Sequence, residues 1–185
     1  MTEAAGPYRK PKQARAQATW SAILQAATRI IETEGEEAFT TNHVAETAGV
    51  SIGTLYQYFP NKAAILVAMM HEERDLDSRK ARGWIEEGLD PDRALIRAQI
   101  QGFSGRPLTR RVALRALLAQ EPSPGEAAQA PARRGGRGEI DAFVVTRAVV
   151  GVVRAAVLED SPLLAAPEFE DALVRLARAL ATSPP

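Results

Sequence analysis

The residues best suited to chemistry lie close together between Thr40 and Lys62, in the segment TTNHVAETAGVSIGTLYQYFPNK. Hydroxyl, amide and ammonium groups are those that proteins use to bind the phosphates and base edges of DNA. Gly53 and Thr54 are short, so the backbone there can approach a partner closely. The side chains predicted to be exposed toward that partner on one short helix are Ile52, Gly53, Thr54, Tyr56, Gln57 and Tyr58.

Two short helices, at about Thr41–Ala48 and Ile52–Phe59, are predicted to form a helix-turn-helix around these residues. Gly49 lies where the chain must leave the first helix with a positive φ, which glycine adopts at little cost. Thr40 or Thr41 is predicted to cap the first helix and Ser51 the second, since a hydroxyl oxygen can accept from an unpaired backbone N–H. The side chains predicted to pack inward are Val44, Ala45, Ala48, Val50, Leu55 and Phe59.

The residues that usually form an enzymatic site do not indicate one here. The chain has no cysteine and two histidines, His43 and His71. His71 is followed directly by Glu72 and Glu73, but three consecutive residues cannot share one face of a helix, so they do not predict a metal site. The sequence contains no glycine-rich phosphate loop and no nucleophile elbow. We therefore expect no catalysis, no metal and no other cofactor.

Composition and charge limit the class of protein further. The chain of 185 residues carries 23 basic and 23 acidic residues, and a formal net charge of zero argues against nonspecific coating of nucleic acid. Basic residues nevertheless cluster near the start, at Arg9, Lys10, Lys12 and Arg15. The start is polar and unlike a signal peptide, and the most apolar stretch, Ala142–Leu158, is interrupted by two arginines. We expect a cytoplasmic protein.

Apolar residues recur with helical spacing along most of the chain, and no segment alternates as a strand does. The predicted fold is therefore all-α, with about nine helices. The helix that starts at Lys62 is predicted to bury Leu76, residues 82–89 to be less regular, and the Pro-, Gly- and Ala-rich residues 121–138 to form a loop. We divide the chain into a flexible basic arm, a helix-turn-helix domain and a helical body, covering residues 1–14, 15–62 and 63–185.

A family resemblance rests on the middle of this segment. The pattern Val44-Ala45-x-x-Ala48-Gly49-Val50-Ser51-x-Gly53-Thr54-Leu55-Tyr56-x-Tyr58-Phe59-x-x-Lys62 resembles the signature of the tetracycline-repressor (TetR) family. With the preceding helix, the resemblance covers about Arg15–Met70. It implies a homodimeric transcriptional repressor with three N-terminal helices for double-stranded operator DNA and a helical body that senses a small-molecule effector.

The resemblance also implies a role for individual residues. Ile52 departs from the polar or basic residue often found at its position, and Tyr58 stands where many relatives have histidine. Ser51 completes the predicted DNA-binding set. The residues expected to face bases are Asn42, Ile52, Gly53 and Tyr56, and those expected to hold phosphates are Thr41, Thr54, Gln57, Tyr58 and Lys62.

The last two predicted helices, 139–158 and 167–181, carry more apolar surface than one core requires. The first is apolar on more than one face, with Gly151 in its middle. Two ordinary core helices are one interpretation; the favoured one is a four-helix interface with two helices from each subunit. The predicted interface residues are Phe143, Val144, Gly151, Val152, Ala155, Phe169, Leu173, Leu176 and Leu180.

The effector site is predicted only from position in the body helices. Arg147 is a charge on an apolar helix and could bind an anionic ligand, pair with an acid such as Asp141, or extend to solvent. Two other functions stay open: activation of transcription, or a helical interaction protein that keeps the helix-turn-helix as a scaffold. The candidate effector-binding residues are Met70, Trp84, Phe103, Phe143 and Arg147.

Overall fold

The computed structural model describes Tyr8, residues 10–120 and residues 139–181; the predicted loop at 121–138 lies outside these ranges. The described residues form eight α-helices and two short 3-10 helices, and no strand occurs among them. The predicted all-α fold is confirmed, with a helix number close to that expected. The α-helices are α1 (Ala14–Glu34), α2 (Thr41–Thr47), α3 (Ile52–Tyr58), α4 (Lys62–Glu86), α5 (Pro91–Gln101), α6 (Pro107–Gln120), α7 (Glu139–Leu158) and α8 (Pro167–Ala181), and the 3-10 helices are Glu36–Ala38 and Pro162–Ala165.

The chain packs into two units. The first comprises residues 1–72 and 105–118, and the second comprises residues 73–104 and 119–185. One continuous helix, α4, contributes residues to both. Packing therefore divides the chain within α4, beyond the predicted boundary at residue 62. The assignment of DNA binding to 15–62, and of effector binding and dimerisation to 63–185, stays a prediction. Among the described helices, none combines the length and apolarity that a membrane crossing requires.

The core of the first unit forms around α1. Ile23, Ala27 and Ile30 are fully buried, and their spacing of three and four residues puts them on one face of the helix. Gly35 ends the helix at φ 92°, and its N–H donates to the carbonyl of Ile31 over 3.2 Å. The buried face of α1 packs against α2, which in turn packs against α3. Helix α1 therefore stabilises α2 by direct packing, and α2 in turn contacts α3.

An acidic side chain of α1 completes the start of α6. The N–H of Thr109 donates to Oε1 of Glu32 over 2.6 Å. Thr109 lies in the first turn of α6, where backbone N–H groups have no acceptor within the helix and where negative charge is favourable. Arg115, farther along α6, pairs with Glu36. Because Glu32 and Thr109 are 77 residues apart in sequence, no local pattern predicts this contact.

In the second unit, α4 continues farther than the sequence predicts. The prediction that residues 82–89 are irregular is wrong for most of this segment, because α4 continues to Glu86. Gly88 then ends it at φ 97°, with the backbone hydrogen bonds of a glycine C-cap. Apolar packing between α4 and α5 accounts for the extension. The buried cluster consists of Ala81, Ala94 and Ala98, with Trp84, Ile85, Leu89 and Leu95 packed against it.

The prediction that Leu76 is buried is also wrong, since its side chain is 39% exposed. Met69, Glu73 and Ala81 are buried at multiples of four residues along α4. Residues four apart share one face of a helix, and Leu76 lies off this face. The apolar side chain of Leu76 is therefore not sufficient to show that the residue is buried.

Helices α5 and α8 of the second unit are joined by ion pairs around Glu170. Arg93 and Arg97 donate to its Oε1 over 2.8 and 2.9 Å, and Nε of Arg97 donates to Oε2 over 3.0 Å. Hydrogen bonds from Arg97 and then Arg93 lower the pKa of Glu170, because they favour the ionised carboxylate. Its side chain is only 16% exposed, so these bonds are partly shielded from water. Arg93 also pairs with Asp171 at 2.8 Å.

We expect Glu170→Gln to lower the free energy of unfolding by about 1–3 kcal/mol, because charge-assisted hydrogen bonds from two arginines are weakened. Glu168→Gln, an exposed acid in the same turn, is the matched control, with a change under about 0.5 kcal/mol. Urea unfolding measures both.

The pH dependence follows from the lowered pKa. The contribution of Glu170 is fully present above the ordinary glutamate pKa of 4.5 and is lost as the pH falls through the lowered value. The difference in the free energy of unfolding between wild type and Glu170→Gln should therefore become smaller as the pH falls. Equal losses for the two variants at neutral pH would contradict this account.

Candidate nucleic-acid interface

The turn between α2 and α3 has the geometry that the sequence predicts. Thr40 caps α2, its side chain accepting from the N–H of His43 over 3.2 Å. Gly49 leaves the helix at φ 69°, and the N–H of Val50 donates to the carbonyl of Ala45 over 3.0 Å. This is the hydrogen-bond pattern of a glycine C-cap. The chain therefore reverses direction within a few residues, which places α3 directly after α2.

The start of α3 is fixed by Ser51. Its Oγ accepts from the N–H of Thr54 over 3.0 Å and lies 2.8 Å from the Thr54 hydroxyl. The predicted cap is thus present, and both hydroxyls are engaged within α3. Val44, Ala45, Leu55 and Phe59 are buried as predicted, but Ala48 and Val50 are only half-buried. The prediction of a buried plug at Val50 is wrong, because the backbone hydrogen bonds of the glycine cap close the turn without it.

The outer face of α3 is open. Ile52 is 38% and Tyr56 49% exposed, which is high for large apolar or aromatic side chains. Gly53 and Gln57 are exposed beside them. Leu55, on the opposite side of the same helix, has no exposure. This short helix therefore combines a fully buried inner side with an unusually apolar outer face.

Gly53 is not required by the packing of the chain. A Cβ placed there would meet only the Oγ of Ser51, at 3.8 Å, which is an ordinary contact. Its φ is not positive, unlike that of Gly49. Neither backbone strain nor a neighbouring side chain explains glycine at this position. The missing side chain instead leaves space for a molecule outside the chain to approach the α3 backbone.

The remaining predicted contact residues lie around α3. The Thr41 hydroxyl lies 3.2 Å from the Tyr56 hydroxyl, so α2 and α3 meet through two predicted contact residues. Asn42 is exposed, and Tyr58 is half-buried with its ring nearly perpendicular to that of Trp20. Lys62 is exposed at the first residue of α4. The ten predicted positions therefore lie on α2, on α3 with its cap, and at the start of α4.

The start of α4 is capped by Asn61. Oδ1 of Asn61 accepts from the N–H of Ala64 over 2.9 Å. This leaves the positive end of the helix macrodipole at Lys62, next to α3 in sequence. A lysine and a helix N-terminus together favour a phosphate group.

The N-terminal arm contributes Tyr8, which the sequence did not single out, and Lys10, which belongs to the predicted basic cluster. The ring of Tyr8 lies 5.2 Å from that of Trp20 and 6.3 Å from that of Phe59, and its hydroxyl bonds to Nδ1 of His71. Lys10 pairs with Glu72 at 2.8 Å. For Tyr8, the only signal in the sequence is an aromatic residue within a polar, basic segment.

The two histidines are engaged in hydrogen bonds of the first unit. Nε2 of His43 lies 3.3 Å from Glu34, and Nδ1 of His71 faces Tyr8. Within the described ranges, no group of three acidic or histidine side chains is arranged to hold a metal ion. The His71-Glu72-Glu73 run is separated by its contacts, since Glu72 pairs with Lys10 and Glu73 accepts from the N–H of Phe103.

The candidate effector residues have different surroundings. Trp84 is half-buried against the α4–α5 cluster, with the guanidinium of Arg97 5.8 Å from its ring centre. Phe103 is 4% exposed, and its N–H donates to Oε1 of Glu73 over 2.8 Å. Arg147 lies 5.1 Å from the ring centre of the exposed Phe143. Packing thus accounts for Trp84 and Phe103, while Phe143 and Arg147 form an accessible pair; Met70 is half-buried in the first unit.

The candidate dimer residues form an exposed apolar face on α7. Ile140 belongs to it with an exposure of 78%. On α8, Leu176 is exposed and Phe169 is half-buried, whereas Leu173 is 4% exposed and packs within the chain itself. The side chain of Leu180 lies outside the described residues. The exposed predicted residues on α7 are Phe143, Val144, Gly151, Val152 and Ala155.

Comparison with known proteins identifies the helix-turn-helix. Residues 23–69, from the middle of α1 into α4, match the family model described as bacterial regulatory proteins, tetR family. This segment of the chain therefore matches the tetR family. This confirms the resemblance seen in the sequence, and the matched residues include all of α2 and α3 and their turn.

Two curated relatives are similar to the chain in this region. The transcriptional repressor KstR of Rhodococcus jostii is 45% identical over 58 residues, which are 31% of this chain and 27% of that protein. The transcriptional regulator EthR of Mycolicibacterium smegmatis is 32% identical over 101 residues, covering 52% of this chain and 46% of that protein. The chain therefore spans a quarter to a half of the length of these tetR-family relatives.

A solved structure extends the likeness in fold. The fatty acid degradation regulator FadR of Bacillus halodurans aligns over 90% of this chain and all of that chain, with a TM-score of 0.52 and 17% identity. At this identity the likeness concerns the fold alone. The likeness in fold therefore extends beyond the residues matched by the family model.

Proposed function

We propose that this tetR-family protein is a DNA-binding transcriptional regulator and not an enzyme. In the finer form of the proposal, it is a ligand-responsive repressor that binds a palindromic operator as a homodimer in the cytoplasm. The observation that carries the proposal is the outer face of α3. This face is open and partly apolar, and packing within the chain does not explain the glycine at position 53. The named regulators that match this region support the same function.

In this proposal, α3 enters the major groove and its N-terminal half contacts base edges. The exposed methyl groups of Ile52 suit the methyl group of thymine, and Gly53 lets the backbone come close to the bases. Tyr56 contributes a hydroxyl that is already oriented by Thr41. Asn42, exposed at the start of α2, completes the base-contacting set.

The phosphate contacts flank this set. Lys62 supplies charge and a helix N-terminus, and Gln57 and Tyr58 supply donors at the end of α3. Thr41 and Thr54 offer hydroxyls at the starts of α2 and α3, and Ser51 lies beside Thr54. Because phosphate contacts carry no base identity, these residues set affinity, whereas the base-contacting set determines sequence preference.

Dimerisation is proposed through α7 and α8. The exposed side chains on α7 recur at spacings of three and four residues, so they form one stripe along the helix. A stripe of this kind on two copies can pack about a two-fold axis into a four-helix interface. Leu173 leaves the proposed set because it is buried within one chain. The dimer would present two α3 helices about 34–36 Å apart, one turn of DNA.

Effector binding is proposed for the helical body. A ligand changes operator affinity only if it binds the DNA-competent and DNA-incompetent states with different affinity. Arg147, half-buried beside the exposed ring of Phe143, is the candidate for an anionic group of that ligand. Met70 stays in the proposed set, while Trp84 and Phe103 enter it only where ligand binding repacks the second unit.

Gly53→Ala tests the central observation. The added methyl group fits the chain, so the stability should stay unchanged or rise by up to about 1 kcal/mol, as alanine favours helices over glycine. Affinity for a duplex selected from a randomised pool should nevertheless fall on the order of tenfold to a hundredfold, because the methyl group obstructs approach to the bases. Fluorescence anisotropy measures the affinity.

The matched control is Gly83→Ala, a helical glycine of α4 where an added Cβ has no neighbour within 4 Å. Its DNA affinity should equal that of the wild type. Equal affinities for both alanine variants would show that α3 does not approach DNA at Gly53.

Val152→Asp tests the dimer interface. Val152 is 41% exposed in the single chain, so the aspartate is tolerated there, but a dimer would bury the charge without a partner. We expect the wild type to sediment as a dimer and the variant as a monomer at micromolar concentration. Ser78→Asp adds the same charge at an exposed position of α4 and should stay dimeric. A wild-type monomer, or a dimer in all three proteins, would refute this interface.

A further inference from the structure

We propose that the N-terminal arm and the end of α3 together form a cleft that binds a backbone phosphate of the DNA. In this proposal Lys12 provides the charge, and Tyr8 positions the arm without touching the DNA. The inference rests on the proposed function and deepens it, since it adds residues that lie outside the helix-turn-helix and outside the residues matched by the family model.

The described part of the arm is held at several points. Tyr8 packs its ring against Trp20 and Phe59, whose own rings pack against each other on the inner side of α3. Its hydroxyl also forms a hydrogen bond with His71. The amide of Gln17 lies 3.4 Å from the carbonyl oxygens of both Pro11 and Lys12. These contacts join the arm to α1 and α4, so Lys12 has a defined place beside α3.

An open cleft of about 350 Å³ lies between the held arm and α3. The arm contributes Lys10, Pro11 and Lys12, and α3 contributes Gln57 and Tyr58. The polar groups at the ends of these side chains are ammonium, amide and phenol groups, all of which donate hydrogen bonds. No carboxylate lines the cleft. A cleft lined by two lysines and no carboxylate suits an anion.

The place of the cleft on α3 identifies the anion. The N-terminal half of a recognition helix lies at the base edges, so the C-terminal half, with Gln57 and Tyr58, lies farther out, where the phosphates of the groove edge pass. Glutamine, tyrosine and lysine are common phosphate contacts in protein–DNA complexes. Lys10 is paired with Glu72, which leaves Lys12 as the lysine whose charge is offered to the phosphate.

The direct test is Lys12→Ala. Operator affinity should fall on the order of tenfold, and the slope of log affinity against log salt should decrease by about 0.9, the loss of one phosphate contact. Lys80→Ala, which removes the same charge from an exposed part of α4 in the second unit, should change neither quantity. Both variants alter partly or fully exposed side chains, so folding is preserved and is checked by thermal unfolding.

The positioning role of Tyr8 is tested by a double-mutant cycle. Tyr8→Ala should reduce the affinity and the salt slope as Lys12→Ala does, and Tyr8→Phe should restore most of both by keeping the ring contacts. The double variant Tyr8→Ala/Lys12→Ala should bind no more weakly than Lys12→Ala alone, because the released arm no longer presents Lys12. Fully additive losses would show that Tyr8 does not act through Lys12 and would overturn its positioning role.

The controls separate this inference from the proposed function. The wild type could bind the operator while Lys12→Ala shows the same affinity and the same salt slope. This result would overturn the proposed phosphate cleft and leave the proposed function intact. Wild-type protein that binds no duplex at any salt concentration would overturn both.

Discussion

Burial of Leu55 and Phe59 fixes which side of α3 faces the protein, and the proposed DNA interface depends on this orientation. Both side chains have no exposure, and the ring of Phe59 lies 4.4 Å from that of Trp20 on α1. A seven-residue helix has too few internal hydrogen bonds to be stable alone, so its geometry depends on this packing. With the inner side fixed, Ile52, Gly53 and Tyr56 have to project outward.

The same aromatic cluster has a second consequence. Tyr8 packs against Trp20 and Phe59 from the N-terminal arm, so one apolar cluster supports both α3 and the basic residues beside it. This arrangement lets a protein of zero formal net charge carry a local basic site. Placement of a few cations next to a recognition helix, rather than overall charge, would then provide the attraction to DNA.

Local sequence signals predicted the helix ends well. Gly49 and Ser51 act through contacts within three to five residues, so their type alone indicates a turn or a cap. The open face of α3 was predictable for the same reason. The acceptor that Glu32 provides to Thr109, and the place of Tyr8, depend on residues far apart in sequence, which no local pattern reveals. The extension of α4 to Glu86 likewise depends on α5 packing against it.

We propose that the outer face of α3 reads DNA sequence, and selection from a randomised duplex pool at moderate salt tests this most directly. The account predicts a palindromic motif whose half-sites are about one helical turn apart. It also predicts that Gly53→Ala selects weakly or selects a different motif. Binding without any preferred sequence, present only at low salt and equal for both proteins, would contradict the account.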